Sequence, residues 1–433
     1  MAGPAAVGVP GRTRRGARGA ARTAALAATT ALIATTAVLA LPATPAVAAD
    51  QCTFPSKNYP GRPWALQRVN LDELWAQSTG KNVQVAVIDT GVDVKNPQLT
   101  RAVDASKGEN LLPAKNSEGE KIDRGNSQGT TDTVGHGTRV AGIIAARPLK
   151  GTGFVGLAPD ATIIPIKQND AEGNGTAATL ARAIRDAVAA GADVINISQD
   201  TANAVRPAQA LEDAVTYALD QDVVVVASAG NDGLGGNVKI TYPASYEGVL
   251  AVAASDRNNE RASFSQSGEF VGVAAPGVDM ISTVPGGGHC SDNGTSFSAP
   301  YVAGVAALLK SKYPEWSAQE IVAQIEQTAE RSIPGHDRLV GWGVIDPVKA
   351  LTDVDPKNPV QSPAPENGVT KGEAPSITPL HFGESADERN TRLATYVVVG
   401  GLALVAGLSG TAVAIRDARR RRGGQLGNGA WMR

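Results

Sequence analysis

The chain has 433 residues, of which 42% are hydrophobic, and a formal net charge of −2. The charge is unevenly distributed: residues 1–49 carry five arginines and no acid, residues 416–433 carry a net charge of +5, and about −12 is left for residues 50–392. This acidic middle excludes nucleic acid as the expected partner, because phosphate binding requires a cationic face. The length allows one large domain or two ordinary ones, plus tails.

The N-terminus has the layout of a secretory signal peptide, predicted over residues 1–49. An arginine cluster precedes an uncharged apolar stretch from Thr23 to Ala49, which ends in small residues suited to signal peptidase. An uncleaved signal anchor is the alternative. The chain is therefore expected to act outside the cytoplasm.

A short proline-containing extension follows at residues 50–69, and it includes Cys52, one of two cysteines. Outside the membrane Cys52 and Cys290 can form a disulfide, and two unpaired thiols are the alternative. A bond between them would join the mature N-terminus to the segment that precedes Ser296.

An α/β pattern then begins and defines a predicted globular domain at residues 70–351. Short apolar runs predict buried strands, and helical spacing of apolar residues lies between several of them. This alternation favours a mostly parallel sheet covered by helices on both faces, in three α/β/α layers. The predicted strands span residues 83–88, 161–167, 192–198, 223–227 and 249–254, and the predicted helices include Leu180, Ile184 and Val188 in one and Leu211, Val215 and Leu219 in another.

Two stretches lack this pattern. Residues 104–134 are polar and contain no convincing element, so a long loop is expected there. Residues 352–392 contain six prolines and predict a linker.

The stretch from Leu393 to Ile415 predicts a transmembrane helix. Its 23 residues carry no charge, and a helix of that length covers about 34 Å, enough for a hydrocarbon core of about 30 Å. A buried core helix is the alternative. The arginines that follow predict that the tail, residues 416–433, is cytoplasmic and that residues 50–392 are outside.

Three short blocks carry residues suited to nucleophilic catalysis. Asp89 ends a predicted strand, where active sites collect in open α/β sheets. His136 lies between two glycines at the predicted start of a helix, and Ser296 begins the apolar helix predicted over residues 296–310. A serine hydroxyl needs a base to take its proton, imidazole suits that role near neutral pH, and a carboxylate orients the imidazole.

Taken singly, each residue has an ordinary structural interpretation, as a turn aspartate or a helix-capping serine. Together the blocks Asp89-Thr90-Gly91, Gly135-His136-Gly137-Thr138 and Gly294-Thr295-Ser296 resemble the subtilisin-like serine peptidases over residues 65–350. The resemblance implies a catalytic triad of Asp89, His136 and Ser296. It also implies that the side-chain amide of Asn231, in Ser228-Ala229-Gly230-Asn231, contributes to the oxyanion hole, although a turn residue is the alternative.

The predicted substrate cleft comprises Gly173, Ser198, Gln199, Asp200 and Gly230. Family members often have two glycines where Asp200 and Thr201 stand here, so a narrower or more polar cleft is expected, with local loop drift as the alternative. The implied acyl transfer requires no cofactor and no metal, and no acidic loop is convincing enough to assign a structural calcium. His289 is expected to face solvent.

The extension with Cys52, the insert before His136 and the C-terminal helix together resemble the mycosins, membrane-anchored subtilisin-like proteases associated with type VII secretion. This resemblance implies a single-pass membrane protein that cleaves a limited set of protein or peptide substrates next to a type VII secretion membrane complex. A structural scaffold of that complex with secondary hydrolysis, and a broad-specificity surface protease, are the competing hypotheses.

Overall fold

The computed structural model describes residues 52–115, 118–170, 175–199, 207–234, 240–366 and 386–423. The chain divides into two units, Met1–Glu366 and Asn367–Arg433. The predicted signal peptide, most of the linker and the end of the basic tail lie outside the described residues, so these boundaries remain predictions.

The first unit contains nine described strands and eight described helices. The strands are β1 (Gln84–Asp89), β2 (Glu109–Asn110), β3 (Thr162–Lys167), β4 (Val194–Ile197), β5 (Val224–Ser228), β6 (Leu250–Ser255), β7 (Val271–Pro276), β8 (Met280–Thr283) and β9 (His289–Asp292). The helices are α1 (Trp64–Gln67), α2 (Leu71–Gln77), α3 (His136–Ala145), α4 (Ala177–Ala189), α5 (Gln209–Asp220), α6 (Thr295–Lys312), α7 (Ala318–Gln327) and α8 (Pro347–Thr352).

Seven strands form one parallel sheet in the order β2-β3-β1-β4-β5-β6-β7, and β8 and β9 form a separate antiparallel hairpin. Alternate residues of β1 enter different cores. Val85 and Val87 pack in the core that contains α3, α6 and α7, whereas Ala86 and Ile88 pack in the core with α4 and α5. This three-layer arrangement confirms the predicted fold class, because strands buried on both faces are read as continuous apolar runs.

Residues 104–134 are more ordered than the sequence predicts. β2 pairs with β3, and Asn110 Nδ2 donates to the carbonyls of Arg124 and Asn126 at 3.0 Å each. Arg124 forms a buried ion pair with Asp170, beyond the end of β3. The expectation of a stretch without elements was wrong, because side-chain hydrogen bonds rather than apolar periodicity organise this segment.

The N-terminal extension packs along the β8–β9 hairpin. Cys52 and Cys290 form a disulfide, as predicted, with an S–S distance of 2.04 Å. Ser56 N–H donates to the Gly287 carbonyl at 2.9 Å, and His289 N–H donates to the Lys57 carbonyl at 3.1 Å. The extension is thereby joined to the strand that leads to Ser296.

His289 does not face solvent, contrary to expectation. The residue is 6% exposed, its Nδ1 accepts the Tyr59 N–H at 3.1 Å, and its Nε2 lies 2.7 Å from Gln98 Oε1. Burial lowers the pKa of His289 to about 4. The prediction was wrong because the N-terminal extension covers this side chain.

The second unit contains α9 (Ala386–Gly423), which includes the predicted span Leu393–Ile415. Among the described helices, this one alone has the length and composition of a membrane span, with a mean hydropathy of 2.0 over its most apolar window.

Candidate active site

The carboxyl edge of the parallel sheet brings Asp89 and His136 together. Asp89 is the last residue of β1 and is buried, while His136 is the first residue of α3. His136 Nδ1 lies 2.8 Å from Asp89 Oδ1 and 3.0 Å from Oδ2, which are hydrogen-bonding distances. The carboxylate therefore fixes the imidazole through Nδ1 and leaves its other nitrogen, Nε2, without a bond to Asp89.

Close approach of α3 to the end of β1 requires a glycine at position 137. A Cβ atom there would lie 2.2 Å from the Gly91 carbonyl oxygen and 3.0 Å from Asp89 Cβ. Gly137 N–H instead donates to Thr90 Oγ1 at 2.9 Å. The absence of a side chain at the glycine after the histidine thus allows Asp89 and His136 to come within hydrogen-bonding distance.

A second buried carboxylate, Asp132, holds the start of α3. Its two oxygens accept five hydrogen bonds of 2.7–3.0 Å, from the backbone N–H groups of Val134, Gly135 and Thr138 and from the hydroxyls of Thr90 and Thr138. Burial raises the pKa of Asp132, and the bonds from Thr138 and Gly135 oppose that shift. Sequence reasoning missed this residue, although an acid before a helix start is a recognisable capping signal.

The electrostatic surroundings of His136 favour its protonated form overall. Burial lowers the pKa of His136, but the charge of Asp89 and its hydrogen bond outweigh burial, so that the net shift is upward from the usual 6.5. Arg139 acts against this shift and Asp132 adds to it. The imidazole side chain is 28% exposed, so it remains reachable from the cleft.

Ser296 lies in the first turn of α6, where backbone N–H groups have no partner within the helix. Asn231 follows the end of β5, and its Oδ1 accepts the Thr295 N–H at 2.9 Å and the Thr295 hydroxyl at 3.1 Å. Gly230 N–H donates to Thr295 Oγ1 at 3.2 Å. The residues predicted as the oxyanion segment are therefore bound to the turn that carries Ser296, through a threonine that the sequence did not single out.

Phe297 connects the serine segment to the histidine. Its ring, which belongs to the residue after Ser296, has its centroid 5.4 Å from that of the His136 ring. Because Phe297 is only 3% exposed, this contact is held by the core. The segment with Ser296 thus lies beside His136.

The predicted cleft residues are described in part. Ser198 is buried and its hydroxyl accepts a hydrogen bond from Asn196 Nδ2 at 2.8 Å. Gln199 Nε2 donates to Gln168 Oε1, and this bond links the segment after β4 to the segment after β3. Gly173 and Asp200 lie outside the described residues. Within the described part of the chain, no three His, Cys, Asp or Glu side chains form a cluster that could hold a metal.

A buried carboxylate on an imidazole, beside a serine at a helix N-terminus, is a site of the serine-hydrolase class on an open α/β fold. Residues 80–343 match the model of the subtilase family of S8 peptidases. The chain belongs to the subtilase family and is a serine-type endopeptidase.

Characterised relatives include Subtilisin Savinase of Lederbergia lenta, which is 38% identical over 285 residues, 66% of this chain and 96% of that protein. Subtilisin E of Bacillus subtilis is 37% identical over 286 residues, 66% of this chain and 70% of that protein. Both relatives support the reaction class.

Solved structures of mycosins are also similar. The MycP3 protease from the type VII (ESX-3) secretion system is 34% identical with a TM-score of 0.60, covering 69% of this chain and 90% of that one. MycP1 from Mycobacterium smegmatis is 33% identical with a TM-score of 0.61, covering 73% of this chain and 91% of that one. The chain is therefore related to the mycosins as well as to the secreted subtilisins.

Proposed function

We propose that the chain is a membrane-anchored extracytoplasmic endopeptidase that uses Asp89, His136 and Ser296 as its catalytic triad. The observation that carries this proposal is the pair of hydrogen-bonding distances between Asp89 and His136 Nδ1, on the edge of the sheet where α6 presents Ser296. A carboxylate on Nδ1 leaves Nε2 as the proton acceptor, as the role of a general base requires.

In this mechanism His136 takes the proton from the Ser296 hydroxyl as the oxygen attacks the scissile carbonyl. The carbonyl oxygen becomes an oxyanion, and His136 then gives the proton to the leaving amine. Water deacylates the enzyme by the same proton transfers in reverse. Asp89 stays ionised and stabilises the imidazolium.

Asn231 and the Ser296 N–H are the proposed oxyanion donors. The Asn231 Oδ1 is occupied by the Thr295 N–H and hydroxyl, so Nδ2 is the atom of that amide available to donate to substrate. Donors fixed before the reaction lower the barrier because they need no reorganisation.

A restricted substrate range, linked to type VII secretion, is the finer proposal. It is supported by the mycosin structures and by the bond between Gln199 and Gln168, which puts polar side chains at the edge of the sheet where substrate would bind. The C-terminal helix α9 would hold the catalytic unit at the membrane, with the tail in the cytoplasm.

Replacing Ser296 with Ala tests the triad. We expect labelling by a fluorophosphonate to disappear and peptide hydrolysis to fall by roughly 10⁴-fold or more, because the nucleophile is gone. Ser291→Ala is the matched control, since Ser291 is exposed on β9 outside the proposed triad. Labelling that persists in Ser296→Ala and disappears in another serine variant would contradict the assignment.

The same variant separates proteolysis from scaffolding. In cells lacking the chain, secretion restored by Ser296→Ala as well as by the parent chain would support the scaffold hypothesis. Restoration by the parent chain alone would show that secretion depends on hydrolysis. Rapid, unselective digestion of unstructured casein would instead favour a broad-specificity surface protease.

A further inference from the structure

Arg139 is a buried cation on the same helix as His136, one turn further along α3. The residue is 8% exposed, and its Nε donates to the Gly135 carbonyl at 3.1 Å. Its Nη1 forms an ion pair with Asp292, at the end of β9. Arg139 therefore connects the backbone just before His136 to the segment that enters α6.

Phe297 completes this connection. The Arg139 guanidinium carbon lies 5.9 Å from the centroid of the Phe297 ring, whose other neighbour is the His136 ring at 5.4 Å. Such a cation–π contact favours a fixed position for both groups. One side chain thus contacts a residue four positions before Ser296 and another directly after it.

The position of this arginine is electrostatically unfavourable for α3 itself. Arg139 lies in the first turn of the helix, which contains no acidic residue, and the helix dipole there disfavours a cation. Burying a guanidinium adds a desolvation cost. The hydrogen bond to the Gly135 carbonyl offsets part of these costs, and the other stabilising contacts of Arg139 are those that it makes across to β9 and α6.

The charged groups around His136 act in opposite directions. Asp89, at the end of β1, and Asp132, in the loop before α3, favour the imidazolium, whereas Arg139 favours the neutral imidazole. Asp292 on β9 partly neutralises Arg139. A general base must be neutral to accept a proton, so Arg139 shifts His136 towards its reactive form.

We propose that Arg139 is a positioning residue that holds the Ser296 segment against His136 and whose positive charge partly offsets the effect of the nearby carboxylates on that imidazole. This inference rests on the proposed triad. Arg139 does not touch the reacting atoms in this arrangement, so its effect passes through His136 and the turn before α6.

The test is the pH dependence of inactivation by a fluorophosphonate, measured on the purified full-length chain in detergent. The rate constant of this reaction reports the fraction of His136 that is neutral and needs no knowledge of the natural substrate. The variants are Arg139→Gln, Arg139→Lys and Asp292→Asn. Arg182→Gln is the matched control, because Arg182 is 62% exposed on α4.

The two charge-removing variants are expected to shift the acid limb of the profile in opposite directions. Arg139→Gln removes a positive charge and moves the limb to higher pH by about 0.5. Asp292→Asn removes a negative charge and moves it to lower pH. Arg139→Lys keeps the limb near that of the parent chain but lowers the maximal rate, because an ammonium lacks the guanidinium fork.

A limb that stays in place in Arg139→Gln, or that shifts in the same direction in both charge-removing variants, would overturn the inference. A loss of rate with an unchanged limb is the result expected of packing alone, and it also overturns the role of the charge. If Arg139→Gln does not fold, the other two variants test the role of the charge. The inference then requires that the acid limb shifts to lower pH in Asp292→Asn and stays in place in Arg139→Lys. Failure of the triad proposal is distinct, because labelling would then persist in Ser296→Ala or be absent from the parent chain itself.

Discussion

At the scale of single residues, His289 tests whether burial keeps a histidine side chain neutral. Its two ring nitrogens are satisfied by the Tyr59 N–H and by Gln98, and burial lowers its pKa to about 4 from the usual 6.5. The unfolded chain therefore binds a proton at this site between pH 6.5 and 4 while the folded chain does not. The contribution of His289 to the unfolding free energy is fully present above pH 6.5 and is lost as the pH falls through this window.

We expect His289 to account for about 3 kcal/mol of the loss of unfolding free energy between pH 6.5 and pH 4. Urea unfolding of the parent chain and of His289→Gln at several pH values measures it. The variant should be less stable at pH 7 and should lose less stability on acidification. His336→Gln is the control histidine, and an equal pH dependence in the parent chain and His289→Gln would contradict the expectation.

The residues that carry chemistry were predictable to different degrees. Asp89 and His136 lie in short blocks whose glycines and strand context are visible in the sequence, and the structure pairs them. Asp132 was missed although most of its partners lie within six residues of it. Arg139 was not singled out, because its importance depends on groups distant in sequence, such as Asp292. His289 was misread for the same reason, since the partners of its two ring nitrogens, Tyr59 and Gln98, lie 230 and 191 positions earlier.

At the scale of elements, five strands of the sheet were predicted within two residues of their observed ends, because buried parallel strands appear as short apolar runs. β7 was not predicted as a strand, since it contains Gly272 and ends in Pro276, two residues that are rare in strand interiors. β2 was missed because its two residues are polar. The residues of β8 and β9 are of mixed polarity and show no regular alternation of apolar and polar side chains. This hairpin was therefore not predicted.

The extension and this hairpin are joined by the disulfide across 238 residues. Removing it in Cys52→Ser/Cys290→Ser should reduce the unfolding free energy by about 3–5 kcal/mol, because the unfolded chain regains loop entropy. Urea unfolding measures the loss, and the parent chain under reducing conditions should match the double variant. Unchanged stability would indicate that the hydrogen bonds of Ser56 and Lys57 suffice.

At the scale of the whole molecule, the proposed catalytic groups and the candidate membrane helix belong to different units. All the proposed catalytic groups belong to the unit that ends at Glu366, whereas the helix long enough to span a membrane belongs to the other. The sequence predicted both, because hydropathy and charge are properties of composition, but it contains no information on the natural substrate.

A chain that ends at Glu366 should leave the membrane fraction and be labelled by the fluorophosphonate at a rate within about twofold of the full-length rate, because it keeps every proposed catalytic group. Fractionation and labelling of the two forms measure this. A chain that lacks only residues 424–433 is the control and should stay membrane-bound. If the chain that ends at Glu366 stays in the membrane fraction, residues 1–49 would be indicated as a second anchor.

The disulfide has a further consequence for maturation in the proposed topology. A chain that crosses a membrane from its N-terminus presents Cys52 outside long before Cys290 follows. The bond can therefore close only after the chain has emerged as far as β9, with Ser296 six residues behind and the helices α6, α7 and α8 still to follow. Oxidation of this pair would thus mark export of the chain as far as β9, and a molecule stalled before that point would carry a free thiol near its leading end.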